Sequence, residues 1–328
     1  MHEREWIGDM SGPVEYRVVA DGPLAPSIID LLGNQIEHLP WTVTQQGSDQ
    51  PVDGVYTYGH PLLDGTMLDR MPGVRVISNY GVGIDHINLS DAAARGIPVG
   101  NTPGILDGAT ADMGFTLLLA AARRLVEGDR YARSAGFTRY DPGYMLGHEV
   151  HSATLGILGM GRIGAQVARR ARGFDMTVLY HNRRPKPTAE EELGARYVSF
   201  SELLNESDYV MLCLPLSDET QGLIGDPELR QMKSTAVLVN IARGPILDTD
   251  ALTEALRRRE IAAAGLDVTD PEPLPRDHPL LELENVIIAP HLGSATVETR
   301  QKMAEISVAN LLAGLRGEPL VQQVDIAQ

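Results

Sequence analysis

The run Gly159-Met160-Gly161-Arg162-Ile163-Gly164 constrains this chain more than any other stretch. It follows the apolar residues 155–158 and opens a segment in which Ile163, Val167 and Ala171 share one face at helical spacing. The first glycine makes the turn, the second lets backbone approach a diphosphate, and the third lets the helix lie close on the strand. The helix N-terminus adds free N–H groups and a partial positive charge. Strand, glycines and helix together predict a dinucleotide site in a parallel α/β sheet; glycines alone would predict only a turn. A second run, Gly81-Val82-Gly83-Ile84-Asp85, fits a bare turn as well as a ligand loop on pattern alone.

The rest of the chain has the matching alternation. Short apolar runs at 16–19, 54–58, 74–78 and 97–100 are separated by helical patterns at 28–34 and 90–95, as in βαβ units. Beyond the glycines, strands are predicted at 177–180, 209–214, 236–241, 262–268 and 286–289, and helices at 250–259 and 300–315. Ser199-Phe200-Ser201-Glu202 has the form of a capping box opening a short helix. Residues 110–125 predict one helix, apolar nearly all round at 116–122 and hence buried between domains. A chain of 328 residues exceeds one comfortable core. The expected fold is α/β: two doubly wound parallel-sheet domains, the larger one second.

Composition narrows the function. With 44 acidic and 28 basic residues the net charge is −16, a poor match to nucleic acid. An anionic ligand must then be drawn in by locally placed arginine. The single cysteine, Cys213, excludes an internal disulfide, and its apolar neighbours predict a buried strand thiol. The start, Met1-His2-Glu3-Arg4-Glu5-Trp6, lacks the pattern of a signal peptide, and no apolar run approaches the ~20 residues that span a bilayer. A cytoplasmic protein without a membrane partner is expected.

Cofactor choice turns on the residues after the next strand, Tyr180-His181-Asn182-Arg183-Arg184-Pro185-Lys186. An NAD site places a carboxylate there for the ribose hydroxyls. Here the acid is missing and cations stand in its place, which suits a 2′-phosphate. NADP(H) is therefore preferred, with NAD(H) possible. Three more residues follow strand ends: Arg243 in Asn240-Ile241-Ala242-Arg243-Gly244, Glu272 in Asp270-Pro271-Glu272-Pro273, and His291 in Pro290-His291-Leu292-Gly293. Ligands of open α/β sheets gather at such ends. Each residue also has a plain reading as surface arginine, solvated loop acid or capping histidine.

At these motifs the sequence resembles the D-isomer-specific 2-hydroxyacid dehydrogenases, and within them the glyoxylate/hydroxypyruvate reductases. Ala262-Ala263-Ala264-Gly265-Leu266-Asp267-Val268, Pro271-Glu272-Pro273-Leu274-Pro275 and Pro290-His291-Leu292-Gly293-Ser294-Ala295-Thr296 complete the match, which runs from about Val74 to Pro319. The resemblance implies two Rossmann-like domains with a cleft between them. Residues 106–291 form an inserted dinucleotide-binding domain, and 1–105 with 292–328 a substrate-binding domain. It implies reduction of a small 2-oxo acid, glyoxylate or hydroxypyruvate, to the (R)-2-hydroxy acid by a homodimer.

The same resemblance implies roles. Arg243 holds the carboxylate and carbonyl, and the backbone of Val82 and Gly83 cradles the carboxylate. His291 protonates the carbonyl oxygen as hydride arrives, and Glu272 keeps His291 charged. Asp267 orients the nicotinamide amide. Gly159, Gly161, Arg162, Ile163, Gly164, Asn182, Arg183, Arg184, Pro215, Ile241 and Gly293 line the cofactor, and no metal is required. Residues 137–148 carry Phe137, Tyr140 and Tyr144 where animal reductases carry tryptophan, and the strip Tyr56-Thr57-Tyr58-Gly59-His60 is distinctive, so substrate size stays open. Other readings are a phosphoglycerate, D-lactate-like or sugar-acid enzyme of the same family, and a dinucleotide-sensing binding protein.

Overall fold

A computed structural model describes residues 14–325; the N-terminal stretch Met1-His2-Glu3-Arg4-Glu5-Trp6 read above lies outside them. The chain divides into two compact units, Asp107–Ala295 forming one, and the residues up to Leu106 with those from Thr296 onward forming the other.

The first unit contains β1 (Tyr16–Ala20), α1 (Pro26–Leu32), β2 (Ile36–Pro40), α2 (Val43–Gln46), β3 (Gly54–Thr57), α3 (Gly65–Asp69), β4 (Ile77–Asn79), α4 (Leu89–Ala94) and β5 (Val99–Gly100). Its strands form a parallel sheet in the order β2-β1-β3-β4-β5. Strands β3 and β4 are buried at every position. Edge strand β2 leaves Glu37, His38 and Pro40 exposed, and this polar stretch carries no strand signal in the sequence. Strand β4 starts at Ile77, three residues later than the apolar run suggests.

The second unit contains α5 (Asp107–Ala122), α6 (Leu125–Ala132), β6 (Thr154–Leu158), α7 (Arg162–Ala171), β7 (Thr177–His181), α8 (Pro187–Leu193), β8 (Arg196–Tyr197), α9 (Phe200–Glu206), β9 (Tyr209–Leu212), α10 (Asp226–Leu229), β10 (Val237–Asn240), α11 (Thr249–Arg257), β11 (Ala263–Leu266) and β12 (Val286–Ile288). Its seven parallel strands run β12-β11-β10-β9-β6-β7-β8. The order reverses between β6 and β9, which pair from Leu155↔Tyr209 to Leu158↔Leu212. A doubly wound sheet opens a ligand crevice at the carboxyl end of such a switch point.

The helix expected over 110–125 is two helices. Helix α5 ends at Ala122, Arg124 takes a left-handed φ of 49°, and α6 begins at Leu125. The apolar surface of α5 is covered within its own unit by α7, β10 and β11. Two glycines permit the approach: a Cβ at Gly114 would stand 2.8 Å from Met211 Sδ, and one at Gly265 would stand 2.9 Å from Leu117 Cβ. The capping box forms as expected, with Ser199 Oγ accepting from Glu202 N and Ser199 N donating to Glu202 Oε2.

The last helix, α12 (Val297–Leu315), is capped by Thr296 and packs on β3, β4, β5 and α1 of the first unit. Ala304, Val308, Leu311 and Leu315 join Val18, Tyr56 and Val76 in one core. Two buried bonds fix its register: Tyr56 Oη with Ser307 Oγ, and Ser78 Oγ donating to Ser307 O, each 2.7 Å. No helix among the described residues is long and apolar enough to cross a membrane, and no cluster among them could hold a metal ion.

Candidate active site

The glycines after β6 do different work. Gly159 has φ +98°, and a Cβ there would lie 2.7 Å from the Cys213 carbonyl carbon. At Gly164 a Cβ would lie 2.2 Å from Gly159 O, so helix and turn close on each other. At Gly161 a Cβ would meet nothing within 4 Å. Two glycines are thus required by packing, and the third faces open space. Gly161 is also the N-cap of α7 and offers no side chain to the first turn, whose N–H groups stay available for a ligand.

The loop is held from β7. Asn182 Oδ1 accepts from Met160 N at 2.7 Å, Lys186 Nζ donates to Met160 O at 3.2 Å, and Tyr197 Oη donates to Asn182 O at 3.1 Å. Asn182 therefore braces the glycine turn. Arg162, expected to line the cofactor, donates through Nε to Asp107 Oδ2 at 2.9 Å. Arg183 and Arg184 are exposed just past β7, with no carboxylate at the strand end. Glu219, in the loop after β9, is held below the ordinary carboxylate range by the Ser217 hydroxyl and its own backbone N–H, with the charge of Arg183 adding. That places Arg183 beside the loop carrying Pro215, which is itself exposed. The Ile241 side chain is buried against α5, and Ile163 is half-buried on α7.

The neighbouring strand ends carry the polar residues. Buried Asn240, closing β10, accepts from Ala242 N at 3.0 Å and donates to Arg243 O at 2.9 Å, which sets the turn presenting Arg243. Arg243 is half-buried, and its Nη1 donates to Ala242 O. A Cβ at Gly244 would lie 2.0 Å from Thr269 O, so this turn lies directly on the segment after β11. There Thr269 N donates to Glu272 Oε2 at 3.2 Å, and Glu272 stands between two cis bonds, Asp270–Pro271 and Glu272–Pro273.

Asp267 organises the loop after β12. Its two carboxylate oxygens accept from Leu292 N and Gly293 N at 2.7 Å each, and its carbonyl accepts from His291 N at 3.0 Å. Burial raises the Asp267 carboxyl above its usual range, against the two N–H donors. Gly293 is required here, since a Cβ would stand 2.9 Å from Asp267 Oδ2. His291 takes a left-handed φ of 56°, and its Nδ1 lies 2.8 Å from Glu272 Oε1. A carboxylate can only accept, so Nδ1 carries the proton of this contact. The pair is partly open, with side-chain exposures of 34% and 41%.

The residues 240–244, 267–272 and 291–293 thus lie at adjoining strand ends on one edge of the sheet. Sequence reading missed Asn240, Asp107 and Thr269, all of which act through other residues. Asn240, three residues before Arg243, was the only one of these with a turn signal. Val82 and Gly83 lie in the first unit, on the loop after β4. The thiol expected inside a strand lies one residue past β9, and Cys213 is half-buried rather than buried; desolvation still pushes its thiol up to about 12. A cavity of about 420 Å³ opens away from this edge, where β10 and β11 begin, and is rimmed by Val126, Leu146 and Arg259.

A switch-point glycine loop and a histidine–carboxylate pair, both at the carboxyl ends of one parallel sheet, mark a dinucleotide-dependent oxidoreductase. Residues 115–293 match the D-isomer specific 2-hydroxyacid dehydrogenase family, NAD binding domain. The chain is 51% identical to a glyoxylate reductase of Korarchaeum cryptofilum over 257 residues, 78% of this chain and 77% of that one. It is 44% identical to a glyoxylate reductase of Aeropyrum pernix over 313 residues, 92% and 93% of the two chains. Among solved structures it is similar to an NADPH-dependent glyoxylate/hydroxypyruvate reductase from Sinorhizobium meliloti in complex with NADP and malonate, at a TM-score of 0.86 and 30% identity, over 95% and 97% of the two chains. The chain belongs to the D-isomer specific 2-hydroxyacid dehydrogenase family, as its motifs indicated.

Proposed function

We propose that this enzyme reduces glyoxylate to glycolate, and hydroxypyruvate with it to the (R)-2-hydroxy acid, preferring NADPH. The observation that carries this reading is the His291 Nδ1–Glu272 Oε1 contact of 2.8 Å, held at the strand edge that also presents Arg243. The dinucleotide fits that edge, because Gly161 leaves its cradle open and α7 begins there uncapped. When bound, the reduced nicotinamide supplies hydride to the carbonyl carbon.

The chain's own residues do the rest. Arg243 binds the carboxylate and polarises the carbonyl, a task for a planar fork of donors. Val82 and Gly83 add backbone N–H groups to the carboxylate. Glu272 accepts a hydrogen bond from Nδ1–H and aims the ring, so His291 Nε2–H gives its proton to the carbonyl oxygen as negative charge develops there. The C–H and O–H bonds of the product form, and His291 regains its proton from solvent. Asp267 keeps the His291 loop in place and would accept from the nicotinamide amide. In this reading Asp107–Ala295 is the dinucleotide domain and the other unit serves the substrate.

The NADPH preference is supported by Arg183 and Arg184, exposed where an NAD site has a carboxylate. It accords with the S. meliloti relative, which is NADPH-dependent. A homodimer is supported by the exposed apolar residues Leu125, Val126, Phe137, Tyr140, Tyr144 and Leu146, too many in one stretch for a solvated surface. A cytoplasmic location accords with the lone cysteine.

The test is absorbance at 340 nm with glyoxylate, hydroxypyruvate, pyruvate and 3-phosphohydroxypyruvate, each with NADPH and NADH. Glyoxylate with NADPH is expected to give the highest kcat/KM. A sensor protein would bind cofactor and turn over none of the acids, and that result would end the proposal.

A further inference from the structure

We propose that Asn79 and Thr57 are positioning residues that set the Gly81-Val82-Gly83 loop to receive the substrate carboxylate. The inference rests on the functional reading above, and it says how one backbone loop is made into an anion site.

Three consecutive carbonyls of the loop are tied to groups behind it. Gly81 O accepts from Thr102 N at 3.0 Å and from Asn79 Nδ2 at 3.1 Å. Val82 O accepts from Asn101 Nδ2 at 3.0 Å, and Gly83 O from Asn79 Nδ2 at 2.8 Å. In a trans peptide the carbonyl and the next N–H point in opposite directions. Turning these three carbonyls inward therefore turns the N–H groups of Val82, Gly83 and Ile84 outward. Among the described residues nothing accepts from those three N–H groups. Successive outward N–H groups make a concavity for an anion.

Asn79 does most of this turning, and its own orientation is forced. Carbonyls only accept, so both of its amide hydrogens are committed to Gly81 and Gly83. Its Oδ1 then faces the Thr57 hydroxyl, which donates across 3.0 Å. That hydroxyl has no second proton, so it accepts from His86 Nε2 at 3.1 Å, and His86 must carry a proton on that nitrogen. The chain continues from His86 Nδ1 to His60 Nδ1 at 3.3 Å. Thr57 and Asn79 are fully buried and His86 is 5% exposed, so water does not substitute for a missing member.

Thr57→Val keeps the shape and removes the hydroxyl; Thr57→Ser keeps the hydroxyl. Thr57→Val is expected to raise KM for glyoxylate about five- to fiftyfold, the effect of one unsatisfied buried amide. Its kcat and its NADPH Kd, read by protein fluorescence, should stay within about twofold of the parent, because neither depends on this single buried bond. Thr57→Ser should restore the parent KM, and amide hydrogen exchange over residues 80–86 should rise in Thr57→Val alone. If Thr57→Val does not fold, Asn101→Ala, at a half-buried position, frees the Val82 carbonyl and carries the same KM expectation. A variant with lowered Tm but parental KM overturns the inference alone. A parent that reduces no 2-oxo acid overturns it together with the functional reading.

Discussion

Gly244 lies so close beneath Thr269 that a methyl group on its Cα would stand 2.0 Å from the Thr269 carbonyl oxygen. One side of that contact carries Arg243, the other Glu272. Gly244→Ala must part the two turns, at a cost of about 1–3 kcal/mol for overpacking. The urea midpoint should fall, and kcat/KM should fall further than replacement of the exposed Gly173, where a Cβ meets nothing within 4 Å, makes it. Parental activity in Gly244→Ala would show that the contact does not register the two turns.

His291→Ala is expected to slow glyoxylate reduction on the order of 10²–10⁴-fold, the range for a lost general acid. Glu272→Gln should cost less, since an amide oxygen still accepts from Nδ1. NADPH Kd should be unchanged in both. A His291→Ala enzyme keeping half of its turnover would take the ring out of the reaction.

Arg243→Lys preserves charge and discards the two-pronged geometry. Both KM and kcat are expected to worsen, because the fork serves the carboxylate in the ground state and the carbonyl oxygen in the transition state. Steady-state kinetics with glyoxylate decides the matter; a change in KM alone would confine Arg243 to binding.

Replacing Arg183 and Arg184 together by Ala should erode the preference for NADPH over NADH by roughly ten- to a hundredfold, the scale of two exposed charge contacts to a phosphate. The parental preference should shrink with added salt, as exposed charge pairs do. Equal kcat/KM for the two cofactors in the parent, at low salt, would refute the assignment of these arginines.

The single thiol offers a check on packing. With Cys213 pushed up to about 12 by burial, the folded protein should resist iodoacetamide at pH 8 and react with one equivalent in urea. Fast labelling of the folded protein would mean that the segment behind Gly159 opens readily.

Most of the sheet architecture could be read from the chain because buried parallel strands are continuous apolar runs, as at 209–212 and 237–240. Strands β2 and β8 escaped because edge strands of polar composition carry no such signal. The break between α5 and α6 escaped too, since Arg124 is an ordinary helix former that tertiary packing places at φ 49°. At the site, Arg243, Glu272 and His291 stood out by position after strand ends. The supports of that site were not legible as such: Asn240 went unnamed, and Asp267 was expected at the nicotinamide rather than as the anchor of the His291 loop. Asn240 and Asp267 act through backbone groups, and a motif records which residues recur there without recording which peptide N–H each one holds.

Helix α12 covers the sheet of the first unit, yet it is translated after the whole of Asp107–Ala295. On the ribosome the second unit is contiguous and closes while Tyr56, Val76 and Val18 still lack their lid. The earliest-made strands are therefore the last to be sealed, and a nascent chain released before Val297 keeps an apolar sheet face that chaperones recognise. Moving residues 297–315 ahead of β1 by circular permutation would let the first unit close during its own synthesis.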